Sequence, residues 1–448
     1  MICPSCQADN ADTVDVCFTC GRAIGALTQG AVIGARYEIL SPLGRGGMGM
    51  VYKAHDRMLD ETVAIKVLRS EFVNTPEMGR RFRHEIKLAR KVSHRNVCRI
   101  HEYGEDGGLR FISMEYLEGT DLKQVMRLAG GLQTDEAFDI AIQVAEGLQA
   151  IHDMGVIHRD LKTPNLMRDA RGVVRLMDFG IAKGSEETGT GGLTQTGAVM
   201  GTPEYMSPEQ CRGEKIDSRS DLYSLGIVDY ELFAGQVPFR GDSAVATIFK
   251  HIQDPVPLEG DAARRLPPAL IPVLRRLLAK DRKERYASAG EVAEALREAR
   301  AASVGYVVAP APPLPPEEPN LPAEDRRRTG RLEICVNFMI RRVGTLGTVL
   351  QEERTFAENI GLRGTRVLTT MDSLVIGDLI QIEEIGGDFQ TRAEVRGAYV
   401  GKDNVRRLNL RFMDWPAPDR LVRTDSGALV RAADGSTPTL TPERRRRR

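Results

Sequence analysis

Apolar positions change their spacing along this chain of 448 residues. From about Tyr37 they alternate with polar ones, as in Thr62-Val63-Ala64-Ile65-Lys66-Val67, a two-residue period that predicts half-buried strands. Farther on they fall at three- and four-residue intervals, as at Ala137, Ile140, Ala141, Val144, Leu148 and Ile151, which is one face of a helix. Strands first and helices later predict an α+β unit over 37–300, with a smaller β-rich lobe and a larger helical one. The pattern then stops. Residues 307–325 hold seven prolines, which lack backbone donors and favour extended polyproline conformation, so 301–325 reads as a semi-rigid linker. Short alternating runs return at Leu332, Ile334, Val336 and Phe338, at Leu379-Ile380-Gln381-Ile382 and at Leu408-Asn409-Leu410-Arg411-Phe412. They predict a small β-barrel or sandwich over 326–414. Residues 415–448 lack apolar periodicity, end in five arginines and read as a disordered basic tail.

Charge alters this picture little. The 62 Lys and Arg equal the 62 Asp and Glu, which removes any global argument for nucleic acid or an anionic membrane as partner. The first residues carry no basic and apolar leader, and no run of roughly 18 apolar residues occurs, so a cytoplasmic chain without a membrane span is expected. In a reducing compartment, paired cysteines are better read as metal ligands than as disulfides. Cys3 and Cys6, then Cys17 and Cys20, form two C-x-x-C pairs ten residues apart, the spacing of a tetrahedral four-cysteine Zn2+ site. A unit as short as 1–25 cannot bury a core and folds only around metal; a redox pair or free thiols are the alternatives. It is similar to a zinc ribbon. Residues 1–21 contain no Lys or Arg and carry Asp9, Asp12 and Asp15, so protein docking or self-association fits this unit better than nucleic acid.

Candidate chemistry is concentrated between 44 and 209. Gly44, Gly46 and Gly49 give a G-x-G-x-x-G pattern that alone fits either a dinucleotide-binding turn or a phosphate-covering flap. Met50-Val51-Tyr52-Lys53-Ala54 follows as a poor helix start and a plausible second hairpin strand, which favours the flap. Lys66 ends V-A-I-K on a strand, and a buried cation there needs a carboxylate partner, for which Glu85 on the amphipathic helix 81–88 is the candidate. The stretch H-R-D-L-K-T-P-N (158–165) packs a histidine, two cations, a carboxylate and an amide into one loop, more polar chemistry than a turn uses. Asp178-Phe179-Gly180 and Ser207-Pro208-Glu209 complete the series.

In this order the motifs resemble the eukaryotic-like (Hanks-type) serine/threonine protein kinases of bacteria, over roughly 37–300. The resemblance implies a bilobal kinase fold, ATP and Mg2+ as cofactors and protein substrates. Asp160 would orient and deprotonate the substrate hydroxyl, Lys162 would steady the transferring phosphoryl group, and Asn165 and Asp178 would hold Mg2+. Gly44, Gly46, Gly49, Val51 and Lys66 would contact the nucleotide, with Glu85 paired to the lysine and backbone groups from Glu115 to Leu117 on the adenine edge. Asp221 and Arg285 would be scaffolding, with Arg285 paired to Glu209, and His158 a packing residue. Thr194 and Thr196 would be autophosphorylated in a transient homodimer, with Arg159 placed to receive phosphothreonine. Such a set suits phosphoryl transfer, which needs little covalent help and much charge neutralisation.

Beyond the linker, Arg327 and Arg331 (R-x-x-x-R) with Asn359 and Gly364 resemble PilZ domains, small β-barrels that bind cyclic di-GMP. Gly361 stands where that family has serine. The alternative for this segment is a protein-interaction module. For the whole chain the rival reading is a cyclic-dinucleotide receptor or scaffold whose kinase fold is catalytically silent.

Overall fold

The structure, a computed structural model, describes residues 27–46, 49–68, 76–106, 109–129, 131–178, 202–260, 263–306, 336–343, 348–361, 363–385, 387–401, 403–414 and 417–418. They fall into two compact units, one built from residues up to 178 with 204–238 and 256–306, the other from 239–255 and the residues from 336 on.

The first unit opens with strands β1 (Val32–Ile33), β2 (Tyr37–Gly46), β3 (Gly49–Asp56) and β4 (Glu61–Leu68), then helix α1 (Pro76–Ala89), then β5 (Ile100–Asp106) and β6 (Leu109–Glu115). The six strands make one antiparallel sheet in the order β1-β2-β3-β4-β6-β5. Ile39, Tyr52, Ala54, Val63, Ile65 and Phe111 form its core. Strand β4 lies at the centre, and Val63, Ala64, Ile65 and Lys66 are all buried. A strand covered on both faces loses the alternation of a half-buried one.

In chain order there follow β7 (Thr120–Asp121), α2 (Leu122–Ala129), α3 (Thr134–Asp153), β8 (Leu166–Arg168), β9 (Val174–Leu176), α4 (Pro208–Arg212), α5 (Ser218–Ala234), α6 (Ala244–Gln253), which belongs to the second unit, α7 (Ile271–Leu277) and α8 (Ala289–Ala302). The short strands form a sheet β7-β8-β9. In α3 the apolar stripe from Ala137 to Ile151 is buried, as its period predicts. Helix α5 is buried on every side from Ser220 to Ala234, the condition of a central helix. It starts on Asp217, whose side chain accepts from the Arg219 N–H, and stops at Gly235 in the left-handed region. Cys98 and Cys211 are buried thiols that pack, and burial pushes both well up from the ordinary range.

The second unit holds α6 and a closed antiparallel barrel of β10 (Val336–Val343), β11 (Val349–Gly361), β12 (Gly364–Thr369), β13 (Leu379–Glu384), β14 (Gln390–Val400) and β15 (Arg406–Phe412). The strand order is β10-β11-β12-β15-β14-β13. Phe338, Ile340, Ile380, Ile382, Leu408, Leu410 and Phe412 point inward at alternate positions. The expectation of barrel or sandwich thus resolves to a barrel. Leu332, Ile334, the proline run 307–325 and the tail from 419 lie outside the described residues. Among the described residues no helix is long and apolar enough to cross a membrane.

Candidate active site

The glycine-rich pattern closes the hairpin of β2 and β3, with Gly46 opposite Gly49. Gly49 has φ of +154°, and a Cβ there would stand 1.8 Å from the Val67 carbonyl oxygen, so only glycine fits. Gly44 faces Val51 across the hairpin, and Val51 in turn faces Lys66 on β4. Three predicted nucleotide contacts are therefore register neighbours on adjacent strands.

Lys66 is 7% exposed, and its Nζ lies 2.7 Å from Asp178 Oδ1. This corrects the expected pairing with Glu85. Glu85 Oε1 instead accepts from Arg159 Nη1 at 3.0 Å. Two carboxylates compete for one compact ammonium, and once Asp178 holds it the planar guanidinium of Arg159 is the better partner for Glu85. Charges choose partners by distance and shape, which sequence spacing does not fix.

Arg159 and Asp178 are both non-glycine residues at positive φ, 63° and 56°, a conformation that persists only where surroundings impose it. For the loop at 158–165, Asp221 on α5 imposes it: its Oδ2 accepts from the His158 N–H at 2.7 Å and its Oδ1 from the Arg159 N–H at 2.8 Å. Gln210 Nε2 donates to the Arg159 carbonyl at 3.1 Å. Burial alone would raise the Asp221 carboxyl, but the His152 ring at 2.8 Å and the loop around His158 and Arg159 outweigh it and hold it below the usual carboxylate range. Burial lowers the His158 pKa and keeps the ring neutral, in keeping with a packing role.

On this pinned loop the polar groups converge. Lys162 Nζ lies 2.9 Å from Asp160 Oδ2. Asn165 Nδ2 donates to the same oxygen at 3.1 Å and to the Asp160 carbonyl at 2.9 Å. A carboxylate, a cation and an amide thus meet within one hydrogen-bonded cluster.

The protein kinase domain family matches residues 37–298. The chain belongs to the protein kinase family. It is 41% identical over 262 residues to the serine/threonine-protein kinase PknB of Mycolicibacterium smegmatis, covering 57% of this chain and 42% of that protein. To PknB of Mycobacterium leprae it is 32% identical over 420 residues, covering 90% of this chain and 65% of that one. The crystal structure of the Mycobacterium tuberculosis PknI kinase domain matches at 28% identity and a TM-score of 0.49, covering 61% of this chain and all of that one. The chain spans only 38% to 42% of the length of several other curated relatives.

Within the kinase domain, further residues brace the site. Glu231 on α5 is fully buried, and it accepts from Thr163 Oγ1 at 3.0 Å and from the Tyr205 hydroxyl at 2.5 Å and pairs with Lys123. No motif announces this knot beneath the catalytic loop; Glu231 reads in sequence as one more polar position on a helix. Arg285 meets Glu209 in a buried fork, with bonds of 2.7 and 2.9 Å, as the resemblance implied. Strand β6 ends at Glu115, and the stretch through Tyr116 and Leu117 leaves the ladder before β7. Its backbone there is the segment expected to meet adenine.

The donor set fits Mg2+. Asn165 spends its amide nitrogen on Asp160, which leaves its oxygen for a metal, and Asp178 offers the carboxylate oxygen not used by Lys66. Hard oxygen ligands suit that ion. The remaining candidates divide. Asn359 lies on β11, where its Oδ1 accepts from the Arg366 N–H at 3.2 Å, and Gly361 faces Gly364. Cys3, Cys6, Cys17, Cys20, Thr194, Thr196, Arg327 and Arg331 lie outside the described residues. Among those that are described, no group of three or more His, Cys, Asp or Glu could hold a metal ion.

Proposed function

We propose that this chain is a protein serine/threonine kinase that transfers the γ-phosphoryl group of ATP to protein hydroxyls. The observation that carries the reading is the convergence of Lys162 and Asn165 on Asp160, with Asp178 held by Lys66. Asp160 sits on a loop locked by Asp221, so its carboxylate is preset to orient an incoming hydroxyl and take its proton. Lys162, beside it, offsets charge on the transferring group. The flap around Gly49 brings backbone N–H groups toward the phosphates, and Lys66 adds a fixed cation. Mg2+, held by Asn165 and Asp178, would neutralise the phosphate oxygens when bound.

The activation-loop threonines Thr194 and Thr196 are the proposed autophosphorylation sites, in trans between two copies. Incubation with Mg-ATP should place phosphothreonine there, and Asp160→Asn should abolish it. Equal labelling of both proteins would sink the enzymatic reading and leave the silent scaffold. We further propose that the barrel receives cyclic di-GMP and that the four N-terminal cysteines hold one structural Zn2+. Metal analysis of the purified chain returning well under one equivalent would remove the zinc assignment.

A further inference from the structure

Across the outer face of the barrel, Asn359 of β11, Arg366 of β12, Asn409 of β15 and Gly397 of β14 are successive register neighbours. A β-bulge flanks the row on each side, between Ala357 and Asn359 and between Val395 and Gly397, and bulges serve to re-aim side chains beside functional surfaces. The hydrogen bonds within the row run one way. Asn359 Oδ1 accepts from the Arg366 backbone N–H, and Asn409 Oδ1 accepts from Arg366 Nε at 3.0 Å. Backbone amides and guanidinium groups only donate, so both asparagines must turn their oxygens inward and their NH2 groups away.

What remains is a surface of donors with its acceptors spent. Arg366 keeps both terminal nitrogens without a partner among the described residues, the edge that matches two oxygens of a phosphate. Arg411, two residues along β15 from Asn409 and so on the same face, is exposed, and its guanidinium makes no hydrogen bond or ion pair among the described residues. Two carboxylates border the row, and each already has a cation: Glu394, which faces Arg411 across the ladder, is held by Arg396 at 3.1 Å, and Glu358, next to Asn359, by Arg407 at 2.9 Å. Tyr399, 40% exposed, has its ring 5.8 Å from the Arg366 guanidinium carbon, giving two flat groups side by side. At Gly397 a Cβ would come within 3.1 Å of Asn409 Nδ2, so glycine keeps that amide open.

We propose that this face, centred on Arg366, binds a nucleotide phosphodiester, with a phosphate on the Arg366 and asparagine donors and a flat base against Tyr399. The assignment rests on the reading of the barrel as a cyclic-dinucleotide receptor, and to the motif residue Asn359 it adds Arg366, Asn409 and Tyr399, which the motif does not name. Arginine and asparagine supply direction, and the aromatic ring supplies stacking that a simple phosphate cannot use.

Calorimetric titration of the full chain with cyclic di-GMP tests it, using wild type, Arg366→Met, Tyr399→Leu and Arg327→Ala, with Arg392→Met as a control elsewhere on β14. Melting curves check that each variant folds. Arg366→Met should weaken binding on the order of tenfold to a hundredfold, Tyr399→Leu about tenfold, and Arg392→Met not at all. If wild type binds and Arg366→Met binds equally well while Arg327→Ala does not, the receptor reading stands and this face is wrong. Uptake of 5′-GMP as tight as that of cyclic di-GMP would overturn the phosphodiester. No heat from wild type removes the receptor reading and this inference together.

Discussion

Asp229 carries a carboxyl group with no counter-charge. It is fully buried in α5, and neither oxygen finds a hydrogen-bond partner among the described residues. Burial therefore drives its pKa well above the ordinary value. The folded chain keeps this proton while the unfolded chain releases it near pH 4, so the group costs stability increasingly as pH rises above about 4. Asp229→Asn keeps the shape and removes the titration. In denaturation experiments the variant should be more stable than wild type at pH 8, and the difference should close as pH approaches 4; a constant difference across that range would contradict the assignment. Asp221 works in the opposite sense: its pKa is depressed, so the hold it gives the catalytic loop is present above about pH 4 and fades below it. The sequence distinguishes these two aspartates only partly. Asp221 falls where the kinase resemblance places a scaffold residue, whereas Asp229 sits in S-L-G-I-V-D-Y-E-L with no spacing that tells a buried acid from a solvated one. Glu85 shows the same limit, since its helix is legible in the sequence and its partner is not.

At the level of elements, individual ion pairs tie the helices and strands that carry the site. Arg285 and Glu209 tie α4 to the segment before α8, with side-chain exposures of 0% and 3%. Removing one member strands the other charge in the interior, so Arg285→Met should cost about 3–5 kcal/mol of stability, read as a shift in chemical denaturation midpoint. A loss under about 1 kcal/mol would mean that the pair is far more hydrated than its burial suggests. The Glu85–Arg159 bond joins α1 to the catalytic loop while Lys66 is occupied by Asp178. Lys66→Met should remove Asp178 from its present position, abolishing phosphothreonine formation while the melting curve stays close to that of wild type. The hairpin flap is legible in the sequence, because a strand after Gly49 excludes the helix that a dinucleotide turn needs. Closure of the barrel is not, because strand order and registry arise from pairings between residues far apart along the chain.

On the scale of the whole molecule, nucleotide and metal should act as a joint ligand. On the proposed function Mg-ATP should bind the folded kinase domain and not the unfolded chain, and at a hundredfold excess over Kd it should stabilise that domain by about 2.7 kcal/mol. Excess EDTA should reverse most of the shift in a thermal melt; a shift that survives chelation would speak against Asn165 and Asp178 as metal holders. The barrel's topology bears on a different matter, which is what can adhere to it. Each of the six strands has a neighbour on both sides, so among the described residues the barrel has no edge strand for an extended peptide or a second sheet to extend. Whatever docks there must be recognised through side chains. The converse concerns damage. Loss of any one strand, by truncation or proteolytic nicking, would open two edges at once and turn a module that resists aggregation into a template for it.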